Sequence, residues 1–217
     1  GLSPRLRHGE PTQTSRTIMQ KAILCLPLLA ACASAGSPAS EEQLEARARA
    51  IHERVITMDT HDDIPGTFGS DSYNACTSMS RQVDVPKMRA GGLDVAWFIV
   101  YVGQGPRTPE GFARAHEQAM AKFNGIHRMA EVQCPDQIAI AYQPDDVERI
   151  VRSGKLATVI GIENGYVIGK DLGLIKKYYD LGGRYMTLAH TTHNDIADSS
   201  NPPQPEHNGL SQFVEEV

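Results

Sequence analysis

The run Asp94-Val-Ala-Trp-Phe-Ile-Val-Tyr101 constrains the fold more than any other segment, because nothing polar interrupts it between its two ends. A strand with one wet face alternates apolar and polar residues. A run that is apolar throughout is buried on both faces, as in a parallel sheet covered by helices. Ala157-Thr-Val-Ile-Gly-Ile-Glu163 has the same character, and Val55–Asp59 and Arg184–His190 are two further strand candidates. Helical patterns separate them: Glu41 to Val55, Glu110 to Glu131 with Phe112, Ala115, Ala119 and Phe123 at helical spacing, Pro144 to Arg152, and Asp171 to Asp180. Pro144, Asp145 and Asp146 suit a helix N-terminus, where a missing N–H costs nothing and acids meet the dipole. Alternating strands and helices predict the α/β class with a parallel sheet.

Each strand candidate ends in chemistry. Residues i and i+2 of a strand project to the same side, so His61 and Asp63 leave one strand end together, just before Ile64-Pro65-Gly66 turns the chain into a loop. A neutral ring nitrogen beside an anionic oxygen on stiff backbone is half of a divalent metal site. A chance polar cluster in a strand-to-loop turn is the alternative. Glu163 ends the second apolar run before the Asn164-Gly165 turn, and His190 ends the last one, with His193 three residues on. Several strands delivering His, Asp or Glu at their C-terminal tips is how a βα barrel builds an active site. A carboxylate able to bridge two metals would let the site activate water for hydrolysis. Asp59 shares the side of His61 if the strand is regular, and could orient that ring or cap the strand end. His116 and His127 read as surface or packing residues. No Gly-x-Gly-x-x-Gly, Walker loop or Gly-x-Ser-x-Gly elbow is present, so nucleotide binding and serine hydrolysis have no support.

These segments resemble the membrane (renal-type) dipeptidases, peptidase family M19. The resemblance rests on Asp59-Thr-His61-Asp-Asp63-Ile-Pro65, Asp84-Val-Pro-Lys-Met-Arg-Ala-Gly-Gly92, Gly161-Ile-Glu163-Asn-Gly165, Arg184-Tyr-Met-Thr-Leu-Ala-His190 and Asn208-Gly-Leu-Ser211, in the family's order from about Ser40 onward. It implies a metal-dependent hydrolase on a (β/α)8 TIM barrel, with two zinc ions and a metal-activated water cutting dipeptides. It implies that His61 and Asp63 bind the first metal, Glu163 bridges both, and His190 is catalytic on the substrate side. Two departures touch the pocket walls. Asn164 stands where members often have Gly, and Asn194-Asp-Ile-Ala-Asp198 replaces a stretch that is aromatic in some members. The two further histidine ligands and a late aspartate are expected beyond Val217. A full barrel takes about 250 residues, so only about its first half is expected here. That half, taken alone, is expected to be poorly stable and inactive.

Residues 1–18 carry no motif and read as upstream sequence before a start at Met19. Residues 19–35 read as a signal peptide: Met19-Gln-Lys21, then a short apolar core too brief to span a bilayer, which takes about 20 residues. Leu29-Ala-Ala-Cys32 resembles a lipobox, with Cys32 as the lipidated residue; cleavage after Ala33-Ser-Ala35 is the alternative. Residues 36–42 would be a flexible tether and 43–217 the truncated barrel domain. An exported protein of the periplasm or cell envelope follows, touching the membrane only through a lipid anchor. Cys76 and Cys134 could pair in an oxidising compartment or remain free thiols. With 21 basic against 26 acidic residues and no basic stripe, nucleic-acid binding is disfavoured. The partner is a dipeptide substrate, and a homodimer is allowed. The rival functions are another metal-dependent barrel hydrolase, acting on phosphoesters or amides, and a non-enzymatic surface lipoprotein.

Overall fold

The structure is a computed structural model that describes residues 39–215. The predicted signal peptide, the predicted lipidation site at Cys32 and the start of the predicted tether lie outside the described residues. Helix α1, Glu41–His52, opens with a reciprocal cap: Gln43 donates its backbone N–H to Ser40 Oγ, and Ser40 donates its own to Gln43 Oε1. It ends three residues before the predicted Val55, and none of its residues is buried.

The rest of the chain builds one all-parallel sheet from β1 (Met58–Asp63), β2 (Val95–Tyr101), β3 (Ile138–Ile140), β4 (Leu156–Glu163) and β5 (Gly183–Met186). Between them run α2 (Val85–Gly91), α3 (Pro109–Arg128), α4 (Pro144–Arg152) and α5 (Gly173–Asp180). Strand β4 is central. One edge pairs with β2 over its length from Ala157 to Glu163. The other edge is divided: β3 takes Leu156–Thr158 and β5 takes Ile160–Ile162.

The apolar runs sit where two-sided burial predicts. Ala96, Phe98 and Val100 of β2, with Ile160 and Ile162 of β4, pack against Ala115, Ala119, Phe123 and Ile126 of α3 in the main core. The opposite face has a smaller core of Val95, Ala157 and Val159, closed by Trp97 and by Val147, Ile150 and Val151 of α4. Helix α3 starts on Thr108, whose hydroxyl accepts the N–H of Gly111. It gives way to a π turn at Met129–Gln133 where one unbroken helix to Glu131 is predicted. Cys76 and Cys134 are joined in a disulfide, which ties the β1–α2 loop to the end of that turn and settles the alternatives left by the sequence.

Three strand readings are corrected. β1 starts at Met58 rather than Val55, because its pairing begins at Met58 opposite Val95 and leaves Val55 and Ile56 exposed. β5 ends at Met186 rather than His190. Beyond it the chain turns to the Asn164-Gly165 corner, with Thr187 accepting the N–H of Gly165. β3 is an addition, with three residues too few to show a pattern. No helix among the described residues is long and apolar enough to cross a membrane.

Candidate metal centre

Parallel pairing places the tips of β1, β2 and β4 at the same end of the sheet: Asp63 lies opposite Ile99, and Tyr101 opposite Glu163. A bulge between Asp59 and Asp62 makes β1 irregular. It sets Asp59 in register with Ala96 of the helix-facing side, and the Asp59 carboxylate accepts the backbone N–H of His61 at 3.0 Å rather than meeting its ring. His61 and Asp63 therefore look across the sheet toward β4.

There His61 Nε2 lies 3.3 Å from Glu163 Oε2 and 3.9 Å from Asp63 Oδ1, and the three ligand atoms all fall within 4.8 Å of one another. The other oxygen of Glu163, Oε1, lies 3.3 Å from His190 Nε2. One carboxylate thus stands between two imidazoles, with an oxygen for each. His190 is on the loop beyond β5, its ring 5.0 Å from that of Tyr101 and its Nδ1 3.5 Å from the Tyr101 hydroxyl. An imidazole nitrogen and two carboxylates, open to solvent on one side, suit zinc, which takes N and O donors and needs an accessible position when it does chemistry. The donors present fit a divalent metal.

Two buried charges flank the centre. Asp62 points to the opposite side of β1. Burial, and then the Asp59 charge, push its carboxyl up to about 6, against the pull of His61, and its Oδ2 meets no hydrogen-bond donor among the described residues. Lys122 of α3 is buried beneath the Tyr101 ring, 5.7 Å from its centroid. Burial lowers the affinity of this ammonium for its proton, while Asp63 and Glu163 act to restore it.

Asn164, next to Glu163, explains its own departure from the family pattern. Its φ of 79° lies in the left-handed region, where glycine is the default and asparagine the usual substitute. The amide is fully buried. It donates to Val102 O at 3.0 Å and accepts from Tyr166 N and Asn194 Nδ2, so it locks the turn that aims Glu163.

The other polar residues serve a rim loop. Asp198 accepts backbone N–H groups from Glu206, His207 and Gly209. Burial alone would raise its pKa, but these bonds and the nearby His193 pull it down to about 2. His193 accepts the N–H of Ser199 and donates to Gln204 O; His207 donates to Asn194 O. Arg107 grips Glu206 with two bonds of 2.7 and 2.9 Å. His116 bonds Tyr178 and His127 bonds Leu181 O, both away from the centre.

Sequence reasoning missed Tyr101 and Tyr185. Tyr101 could have been noticed as the polar end of its own strand. Tyr185 carries no such signal: its hydroxyl lies 3.1 Å from His61 Nδ1, three strands away in the sheet.

A parallel α/β sheet that gathers an imidazole and two carboxylates at its strand tips has the layout of a metal site on a βα fold. More narrowly, the chain belongs to the membrane dipeptidases, peptidase family M19, whose family profile matches residues 45–217. Among its relatives, the dipeptidase aclJ of Aspergillus oryzae is 33% identical over 140 residues, which is 63% of this chain and 33% of that protein. Among solved structures, the probable dipeptidase PvdM from Pseudomonas aeruginosa superposes with a TM-score of 0.74 at 27% identity, covering 82% of this chain and 46% of that one. A metallopeptidase from Rhodobacter sphaeroides, liganded with a phosphinate mimic of the dipeptide L-Ala-D-Ala, shares the fold with a TM-score of 0.55 at 15% identity over 66% of this chain and 48% of its own. The chain spans about a third of the curated relative and under half of these solved chains.

Proposed function

We propose that the protein acts as a zinc-dependent dipeptidase, and that this stretch supplies the first half of a two-metal centre. His61 and Asp63 would hold one zinc, Glu163 would bridge to the second, and two histidines outside these residues would complete it. When bound, the metals supply water activation and polarisation of the peptide carbonyl. His190 stands beside the bridge and would donate a hydrogen bond to the oxygen that gains charge as the carbonyl is attacked. Tyr101 holds the other nitrogen of that ring. The observation that carries the reading is Glu163, with one oxygen 3.3 Å from His61 and the other 3.3 Å from His190. Export and a lipid anchor at Cys32 belong to the same reading.

The ligand of the Rhodobacter sphaeroides protein makes dipeptides with a D residue in second position the first substrates to try. The test is turnover by the zinc-loaded full-length protein on such dipeptides, on L,L-dipeptides, and on phosphotriesters and lactones. Dipeptides should be cut, and Glu163→Gln should reduce that activity by at least about a hundredfold, as loss of a central electrostatic group does. Preference for the phosphotriester or lactone, or normal turnover by Glu163→Gln, would overturn the reading.

A further inference from the structure

A metal-binding histidine needs its ring held by a second partner, because a free imidazole spins about χ2 and offers either nitrogen. The only side-chain group that reaches His61 Nδ1 among the described residues is the Tyr185 hydroxyl, at 3.1 Å. That hydroxyl also lies 3.3 Å from the carbonyl oxygen of Thr60 and donates its hydrogen there. With its hydrogen committed, the Tyr185 oxygen accepts from His61, so the ring proton sits on Nδ1. The lone pair of Nε2 is then left facing Asp63 and Glu163, where a cation would be bound.

The reach from β5 to β1 crosses β4 and β2, and one residue of each strand shapes it. On β4, Gly161 occupies the interior position between Val159 and Glu163. A Cβ there would run into the Tyr185 ring, with the ring's Cζ, Cε1 and hydroxyl oxygen all inside contact distance. On β2, Trp97 stacks on the Tyr185 ring with centroids 5.1 Å apart and planes 29° from parallel. The tyrosine is thus laid flat between a tryptophan face and a vacant Cβ position, which directs its hydroxyl at the β1 tip. Ordinary space filling would explain the stacking but not the two hydrogen bonds to consecutive residues, Thr60 and His61.

We propose that Tyr185 is the positioning residue of the metal centre. It fixes the tautomer and rotation of His61, and Gly161 and Trp97 hold it in place to do so. The inference rests on the reading of His61 as a metal ligand. It is tested by titrating the metal-stripped full chain with Zn2+ against a chromophoric chelator, for the wild type, Tyr185→Phe, Gly161→Ala and Glu163→Gln. Tyr185→Phe keeps the ring and its stacking and removes only the hydroxyl. It should bind zinc about 10- to 100-fold more weakly, the usual loss when such a partner is removed, with an unchanged circular dichroism spectrum. Gly161→Ala should weaken binding similarly by pushing the ring aside. In the zinc-loaded wild type the Nδ1 proton of His61 should resist exchange with water; in Tyr185→Phe it should exchange freely, which mere loss of packing would not cause. If Glu163→Gln loses zinc while Tyr185→Phe keeps wild-type affinity and a protected Nδ1 proton, the positioning role is wrong and the metal reading stands. If Glu163→Gln binds zinc as the wild type does, both fall.

Discussion

The two faces of β4 obey different rules. Toward α3 the strand shows Leu156, Ile160 and Ile162, each buried in the main core. Toward the other side it runs Ala157, Val159, Gly161 and Glu163: apolar at the base, without a side chain in the middle, and charged at the tip. At Leu156, Ile160 and Ile162 the first face answers to burial, so an apolar residue of similar volume would serve there. The second face changes along its length because each position meets a different demand: the α4 core, then the Tyr185 ring, then the metal centre. One strand therefore has a stability face and a site face, and substitutions should separate them.

The largest expected effect on stability lies on the first face. Phe123 of α3 is fully buried against it and stacks on Tyr178 at 5.3 Å. Phe123→Ala should lower the unfolding free energy by about 3–5 kcal/mol in denaturant melts. The fraction that remains folded should bind zinc as before. A loss of zinc affinity in that folded fraction would show the faces to be coupled. On the site face the order reverses. Glu163→Gln should abolish zinc binding yet change the stability of the metal-free chain by about 1 kcal/mol or less, because a glutamine amide fills the same space. A drop as large as that of Phe123→Ala would mean Glu163 is a structural residue.

The smallest effect is confined to the rim loop and depends on pH. Asp198 has a folded pKa of about 2, below its unfolded value, so its support is complete above the unfolded value and is lost as pH falls through the folded one. Amide protection at Glu206, His207 and Gly209 should therefore hold from neutral pH down to about 4 and fall between about 4 and 2 by hydrogen exchange. Asp198→Asn should remove most of that protection at neutral pH. Unchanged protection in this variant would mean that Arg107 and Glu206 alone hold the loop.

The contrast between the faces also explains what could be read in advance. β2, β4 and α4 were legible because burial leaves a periodic trace in the residues themselves. The meeting of His61, Asp63, Glu163 and His190 at one end of the sheet was legible because each was expected to end an apolar run or lead into a turn. The bulge in β1, the three residues of β3 and the early end of β5 were not, since each depends on which strand lies alongside. The hydrogen bond from His61 to Tyr185 was hidden for the same reason. It joins residues 124 positions apart, and its enabling feature is a glycine on a third strand. The disulfide could be suspected from two cysteines but not assigned, because the fold alone brings Cys76 beside Cys134.

The central claim is that the β1 and β4 tips hold a metal. Anomalous diffraction at the zinc edge from crystals grown with Zn2+ tests it most directly. The account predicts a peak bound by His61 Nε2 at about 2.0–2.1 Å and by oxygens of Asp63 and Glu163 at about 2.0–2.2 Å. Diffraction from zinc-grown crystals with no peak within reach of these three residues, or with His61 bound to zinc through Nδ1, would contradict it.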